Sequence, residues 1–269
     1  MDSLEGKATA RNIPLPIQRA VRQRCGFGCV ICGLPLYEYE HMMEWAVVQR
    51  HVAEEITLLC DKHHREKTNG LLPKEAVSAA NENPFNLRTG VSAPYDLHYS
   101  GDHCTTVIGD NTFTTKDQGH GTQIIPLMID GIPILGFILS DGHLLLNVNI
   151  FDEFNELALR IQNNVLTYST SSWDVALTGR DLKIRESHGK FFLDMRFETP
   201  NMLRISRGRF LLNGVEVKIS PTEVVITNNQ TRMSGSRMEN VTVGLSVGTD
   251  VPNVSAGVVL QGIPRYTSR

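Results

Sequence analysis

The sequence predicts an α+β chain of two parts: a small metal-stapled strand–strand–helix module and a larger all-β region after it. Three observations predict this. Four of the five cysteines, Cys25, Cys29, Cys32 and Cys60, fall in one N-terminal segment, and a histidine follows the last at the third position. Two short alternating runs lie between the cysteine pairs and their histidine partner. Beyond residue 85 the chain becomes a succession of short runs rich in Val, Ile, Leu, Phe and Thr, separated by turn dipeptides.

Composition sets the outer bounds. With 269 residues, 41% hydrophobic and 20% charged, the chain can bury a sizeable core. No apolar run reaches the ~18 residues of a membrane helix, and no membrane contact is expected. The first 15 residues are polar and lack the apolar stretch of a secretory signal, so a cytoplasmic location is the expectation. The formal net charge is −3, unlike the strongly basic balance of proteins that coat nucleic acid non-specifically. Nucleic-acid chemistry would then depend on local positive charge, a metal ion or a partner.

Residues 1–15 read as a flexible leader, and 16–84 as the metal module with flanking helices. The run IQRAVRQR, residues 17–24, favours a helix with Ile17, Ala20 and Val21 on one face. Its arginines fall mostly on the other face, making Arg22 and Arg24 candidate phosphate contacts. Residues 73–83 form a second helical stretch, opened by Pro73 and ended by Asn83 and Pro84.

Cys29-Val-Ile-Cys32-Gly33 is a CxxC knuckle, and Cys60-Asp-Lys-His63 a CxxH. Three thiolates and one imidazole suit tetrahedral zinc. In a chain without secretory features, clustered cysteines bind metal more often than they pair as disulfides. Cys25 competes as a ligand, but Cys29 and Cys32 meet the knuckle spacing better. Cys25 then reads as a small buried residue, and Cys104 as an ordinary core cysteine.

The segment between the knuckles carries the chemistry. LYEYEHM, residues 36–42, alternates as a strand and closes on Glu40-His41. EEITLLC, residues 54–60, is a second strand running into the second knuckle, and HHREKT, residues 63–68, opens a helix. This order, with Cys29, Cys32, Glu40-His41, Leu58-Leu59-Cys60, His63-His64 and Lys67, resembles the HNH endonuclease family over residues 17–70. The resemblance implies a ββα-metal module that hydrolyses phosphodiester bonds in DNA. It implies His41 as general base, Glu40 and His64 as ligands of one catalytic Mg²⁺ (or Mn²⁺), and structural Zn²⁺ on Cys29, Cys32, Cys60 and His63. Arg65, Lys67 and the loop residue His51 join the candidate phosphate contacts.

The chemistry asks for the same parts. A neutral histidine can take a proton from water near pH 7. A divalent ion held by few protein groups leaves positions open for phosphate. His63 and His64 can serve different metals because successive helical residues point ~100° apart. One position departs from the family: its middle Asn is Glu55 here, which cannot donate an amide N–H. Either Glu55 or Glu54 substitutes, or the loop is held otherwise. Glu40 and His41 would face opposite sides of a regular strand, so a bend is expected near Met42–Met43.

Residues 85–228 read as a β-rich domain, with runs such as 133–140, 143–150, 181–186, 190–198, 202–206, 215–219 and 223–227. Asp130-Gly131, Asp141-Gly142, His188-Gly189 and Asn213-Gly214 mark turns between them. The loosely even spacing tilts the expectation towards a solenoid-like stack over a sandwich. Residues 151–164 suggest a helical turn or a wide loop. Residues 229–269, rich in Ser, Gly and Asn, form further strands or a mobile tail. No catalytic motif appears after residue 85. That region is expected to recruit, regulate or assemble, through an activating protein partner or as a homo-oligomer. A nuclease head on a β body resembles the layout of bacterial or phage effectors.

Overall fold

A computed structural model describes residues 12–43, 45–119, 121–249 and 255–266. Most of the leader (residues 1–11) and parts of the tail (250–254 and 267–269) lie outside the described residues. The chain divides into two compact units, Met1–Ala93 and Pro94–Arg269.

The N-terminal unit begins with α1, Leu15–Cys25, which starts at a proline-set turn and stops at Gly26 in the left-handed conformation, φ 68°. Strand β1, Glu38–His41, pairs antiparallel with β2, Ile56–Leu59, with His41 opposite Ile56. A short turn of helix, α2 (Trp45–Val48), lies in the loop between them. Helix α3, Asp61–Thr68, follows β2 directly. Helices α4, Lys74–Glu82, and α5, Phe85–Thr89, complete the unit.

All four residues of β2 are buried, which is why its sequence is continuously apolar apart from Thr57. Its side chains pack with Val21 and Cys25 of α1 and Val77 of α4. Cys25 is thus a core residue, and burial pushes its thiol pKa up.

The unit extends past Pro84, where sequence breaks suggest an end. The reason is Asn86 of α5. Its buried amide donates to the carbonyls of Gly26 (2.8 Å) and Gly33 (3.2 Å), tying the helix to the first knuckle.

The second unit is a large hydrogen-bonded sheet system, and strand accounts for 49% of the chain against 16% for helix. Sequential antiparallel hairpins dominate it. Ile132–Ser140 pairs with His143–Phe151, and Met202–Leu212 with Val215–Ser220. A solenoid would stack coils in parallel, so the expected stack gives way to hairpins. The turns explain this. Asp130-Gly131, Asp141-Gly142 and Asn213-Gly214 have positive φ at both residues, the geometry that reverses a twisted strand onto itself.

Parallel contacts are fewer. Thr105–Ile108 lies along Met202–Ile205, and Val243–Val247 along Ile125–Ile129. The tail therefore supplies strands, at Thr231–Met233, Arg237–Glu239, Val243–Gly248 and Ala256–Gln261. Leu157–Gln162 is also a strand, where the sequence suggests a helical turn or loop. Its buried Leu159 and Ile161 pair with Ile150 and Val148. No helix among the described residues is long and apolar enough to cross a membrane.

Candidate metal centre and adjoining histidine site

Cys29, Cys32, Cys60 and His63 bring four ligand atoms within 4.8 Å of one another, the only such group of three or more among the described residues. Cys32 Sγ lies 3.7 Å from Cys60 Sγ, and His63 Nδ1 lies 3.3 Å from both Cys29 Sγ and Cys60 Sγ. Tetrahedral zinc with ordinary bond lengths separates two sulfurs by about 3.8 Å and sulfur from nitrogen by about 3.5 Å. The four residues fit, and could hold a metal such as zinc.

The backbone builds the pocket. Gly33 N–H donates to Cys29 O (2.7 Å), and Val30 N–H donates to Leu58 O (3.0 Å), fastening the first knuckle to β2. His63 presents Nδ1 to the sulfurs and Nε2 to Glu66, 4.0 Å away, so an outer carboxylate faces the ring's far side. A hydrogen bond from Cys32, then backbone N–H groups against burial, hold the Cys29 thiol at about 4. Cys32, bound to that thiolate and partly buried, is pushed up. A bound cation would favour the thiolate form of both.

A second group joins α3 to β1. His64 Nε2 is 3.0 Å from Glu40 Oε2, and His64 Nδ1 is 3.4 Å from Glu38 Oε2. Lys67 Nζ pairs with Glu40 Oε1 and donates to His41 O (3.2 Å). Strand β1 ends at His41, and the chain bends at Met42 and Met43, the position where a bend is expected. His41 turns to the loop side. Its Nε2 is 3.3 Å from His51 Nδ1, and its ring sits 5.0 Å from the Trp45 ring. His51 stacks on Trp45 at 4.6 Å and 22°. Burial first, then the His51 imidazole, lowers the His41 pKa below its ordinary value.

Glu55 takes neither histidine. Its carboxylate pairs with Arg50 in the same loop, and that hydrogen bond lowers its pKa. Its backbone carbonyl accepts from Met42 N–H (2.9 Å), which joins the two ends of the loop.

Several candidate phosphate contacts have other work. Arg22 is 8% exposed and donates to the Tyr39 hydroxyl (2.7 Å). Arg24 donates to Asn81 Oδ1 (2.7 Å), Ala53 O (2.9 Å) and Ile56 O, clamping α1 to β2 and α4. Lys67 is spent on Glu40, its side chain 9% exposed. In the structure these three candidate phosphate contacts also bond within the unit, since helical periodicity does not tell a solvent face from a face covered by later elements. His51 sits against His41, and Arg65 alone of the five is exposed on α3.

The sequence reading also missed Trp45 and Asn86. An exposed, short apolar stretch beside His41 was the available signal for the first. The glycines at 28 and 33 were the signal for the second, since a Cβ on either would collide with the Asn86 amide at 2.5 Å and 2.2 Å. No protein family, curated protein or solved structure matches the chain.

Proposed function

We propose that the N-terminal unit is a metal-dependent HNH-type endonuclease that hydrolyses phosphodiester bonds in DNA. The observation that carries this reading is the approach of Glu40 Oε2 and His64 Nε2 to 3.0 Å, at the strand end where His41 is the next residue. Neighbouring ligands on an octahedral Mg²⁺ lie about 3.0 Å apart, so the two atoms fit one ion. When bound, the ion stabilises charge on the phosphate and on the leaving oxygen.

The chain's own residues supply the rest. His41, uncharged near neutrality, takes the proton of the attacking water. Lys67 holds Glu40 Oε1 and leaves Oε2 to the ion. Cys29, Cys32, Cys60 and His63 hold structural zinc, which fixes α3 and therefore His64 against β1. Arg65 is the remaining basic group for a phosphate. The β unit recruits the substrate or an activating partner, or assembles copies of the chain.

Purified protein is expected to nick and linearise plasmid DNA with Mg²⁺ or Mn²⁺. His41→Ala should lose at least 100-fold of that activity, a general base's share, with zinc content intact. Equal activity in His41→Ala would remove the base from the mechanism. A second reading, a zinc-stapled adaptor with an inactive site, draws on the internal engagement of Arg22, Arg24 and Lys67, three of the candidate phosphate contacts. Failure of the wild type to cut DNA or RNA with any divalent ion selects it.

A further inference from the structure

The loop after β1 contains a histidine that the proposed chemistry leaves without a role. We infer that His51 is a positioning residue for His41. It accepts a hydrogen bond from His41 Nε2–H and thereby leaves His41 Nδ1 bare to receive the water's proton. This rests on the nuclease reading for the proton's origin; the loop sets the 3.3 Å contact between the two rings, and the direction of that hydrogen bond is the inference.

Four observations carry it. His41 Nε2 and His51 Nδ1 are 3.3 Å apart, within reach of an N–H···N bond. The His51 ring is stacked flat on Trp45, at 4.6 Å and 22°, which fixes the direction of its Nδ1. Among the described residues, the charged groups flanking His41 are engaged elsewhere: Glu55 with Arg50, Glu40 with His64 and Lys67, and Lys67 with Glu40 and the His41 carbonyl. The loop is braced at both ends, by Met42 N–H on Glu55 O (2.9 Å) and Glu55 N–H on Val52 O (3.0 Å).

An imidazole has one proton between two nitrogens, so whichever nitrogen is held by a partner decides which one can act as base. If His51 Nδ1 accepts, His51 must carry its own proton on Nε2, and His41 must carry its proton on Nε2. The Glu55 that stands where the resemblance expects Asn is then no defect, because Glu55 braces the loop and His51 orients the base.

Two substitutions separate ring from acceptor. His51→Phe keeps an aromatic face for Trp45 and removes the acceptor. His51→Asn places an amide oxygen near the lost Nδ1 and removes the ring. Nitrogen NMR of the imidazoles in the full-length, zinc-loaded protein should show His41 bare at Nδ1 in the wild type and in His51→Asn. In His51→Phe it should show a mixture of tautomers. In plasmid cleavage, His51→Phe should lose about 100-fold in kcat, the size expected of a misplaced base, with KM within twofold, and His51→Asn should recover most of it.

A wild-type His41 protonated at Nδ1, or the same single tautomer in His51→Phe, would overturn the inference whatever the activity. Full kcat in His51→Phe, or His51→Asn no better than His51→Phe, would overturn it while leaving the nuclease reading standing. A wild type that cuts nothing fails the nuclease reading alone, and the NMR result still decides the positioning.

Discussion

The two units reach a fixed structure by different means. The β unit relies on aliphatic alternation: Leu135, Leu139, Leu144, Leu146 and Val148 are wholly buried on paired strands. The N-terminal unit has a core of nine buried residues, and three of them are cysteines. A core that small supplies only a few kcal/mol, and the Cys29, Cys32, Cys60 and His63 cluster could hold a metal that adds to it. The comparison teaches where each unit is vulnerable. Zinc on the cysteine cluster would make one unit depend on a single ion, whereas the other rests on many interchangeable methyl groups.

The largest expected effect follows from this. Zinc bound by such a ligand set contributes on the order of 10 kcal/mol to folding. Chelation, or Cys60→Ala, should therefore unfold the N-terminal unit and leave the β unit's melting transition in place. Each unit has its own tryptophan, Trp45 in the first and Trp173 in the second. In a Trp173→Phe background, emission should report the loss of Trp45 packing directly. A metal-free protein with unchanged Trp45 emission and unchanged helical signal would break the contrast.

The converse change is smaller. Leu146 is fully buried opposite Phe137, and Leu146→Ala removes most of its side chain from a close-packed face. About 3–4 kcal/mol should be lost from the β unit, with one equivalent of zinc retained and His41-dependent cleavage unaltered. Chemical denaturation followed by zinc analysis checks both halves. Loss of zinc from this variant would mean that the units do not fold independently.

Gly33→Ala moves the test to the knuckle without touching a ligand. Gly33 has φ 77°, and an added Cβ would stand 2.2 Å from Asn86 Oδ1. Either the knuckle or α5 must shift, at a cost of about 2–3 kcal/mol. The expected readout is weaker zinc retention against a competing chelator. Unchanged retention would show that Asn86 decorates the knuckle and does not brace it.

What was legible in the sequence follows from the range of each interaction. The ligand set was legible because CxxC and CxxH put paired ligands on one local turn. The hairpins at 130–131, 141–142 and 213–214 were legible because few residues adopt positive φ. The work of Arg22, Arg24 and Lys67 was not, since each depends on a partner seventeen or more residues away. The strand Leu157–Gln162 was hidden for the same reason. Its Leu- and Ala-containing sequence has no strong local preference, and pairing with His143–Phe151 decides it. The Glu40–His64 approach was foreseen only through a family resemblance, because spacing alone places the two on different elements.

The smallest effect concerns Asp130, which the sequence marks only as a turn residue. Its carboxylate gathers three separate parts of the β unit. Arg265 donates to both oxygens (2.9 and 2.6 Å), Asn213 Nδ2 donates at 3.0 Å, and Thr249 donates through its N–H (2.9 Å) and hydroxyl (3.1 Å). Burial pushes the carboxyl pKa up, but these donors together outweigh it and hold the group at about 2, below its ordinary 3.8. A carboxyl depressed by folding stabilises the native state above its unfolded value, and that stability disappears as pH falls through the folded value. The window is therefore about pH 4 down to about pH 2, and the amount at stake is about 2 kcal/mol. Asp130→Asn should lower the β unit's urea midpoint at pH 7 and flatten its acid dependence across that window, while the N-terminal unit's zinc retention at pH 7 stays as in the wild type. Other carboxylates titrate alike in both proteins and cancel in the difference. If the two curves run parallel from pH 5 to pH 2, the Asp130 cluster contributes nothing, and the C-terminal segment is held by its other bonds, such as Tyr266 hydroxyl to Thr227 (3.1 Å) and Tyr266 N–H to Gly214 O (2.9 Å).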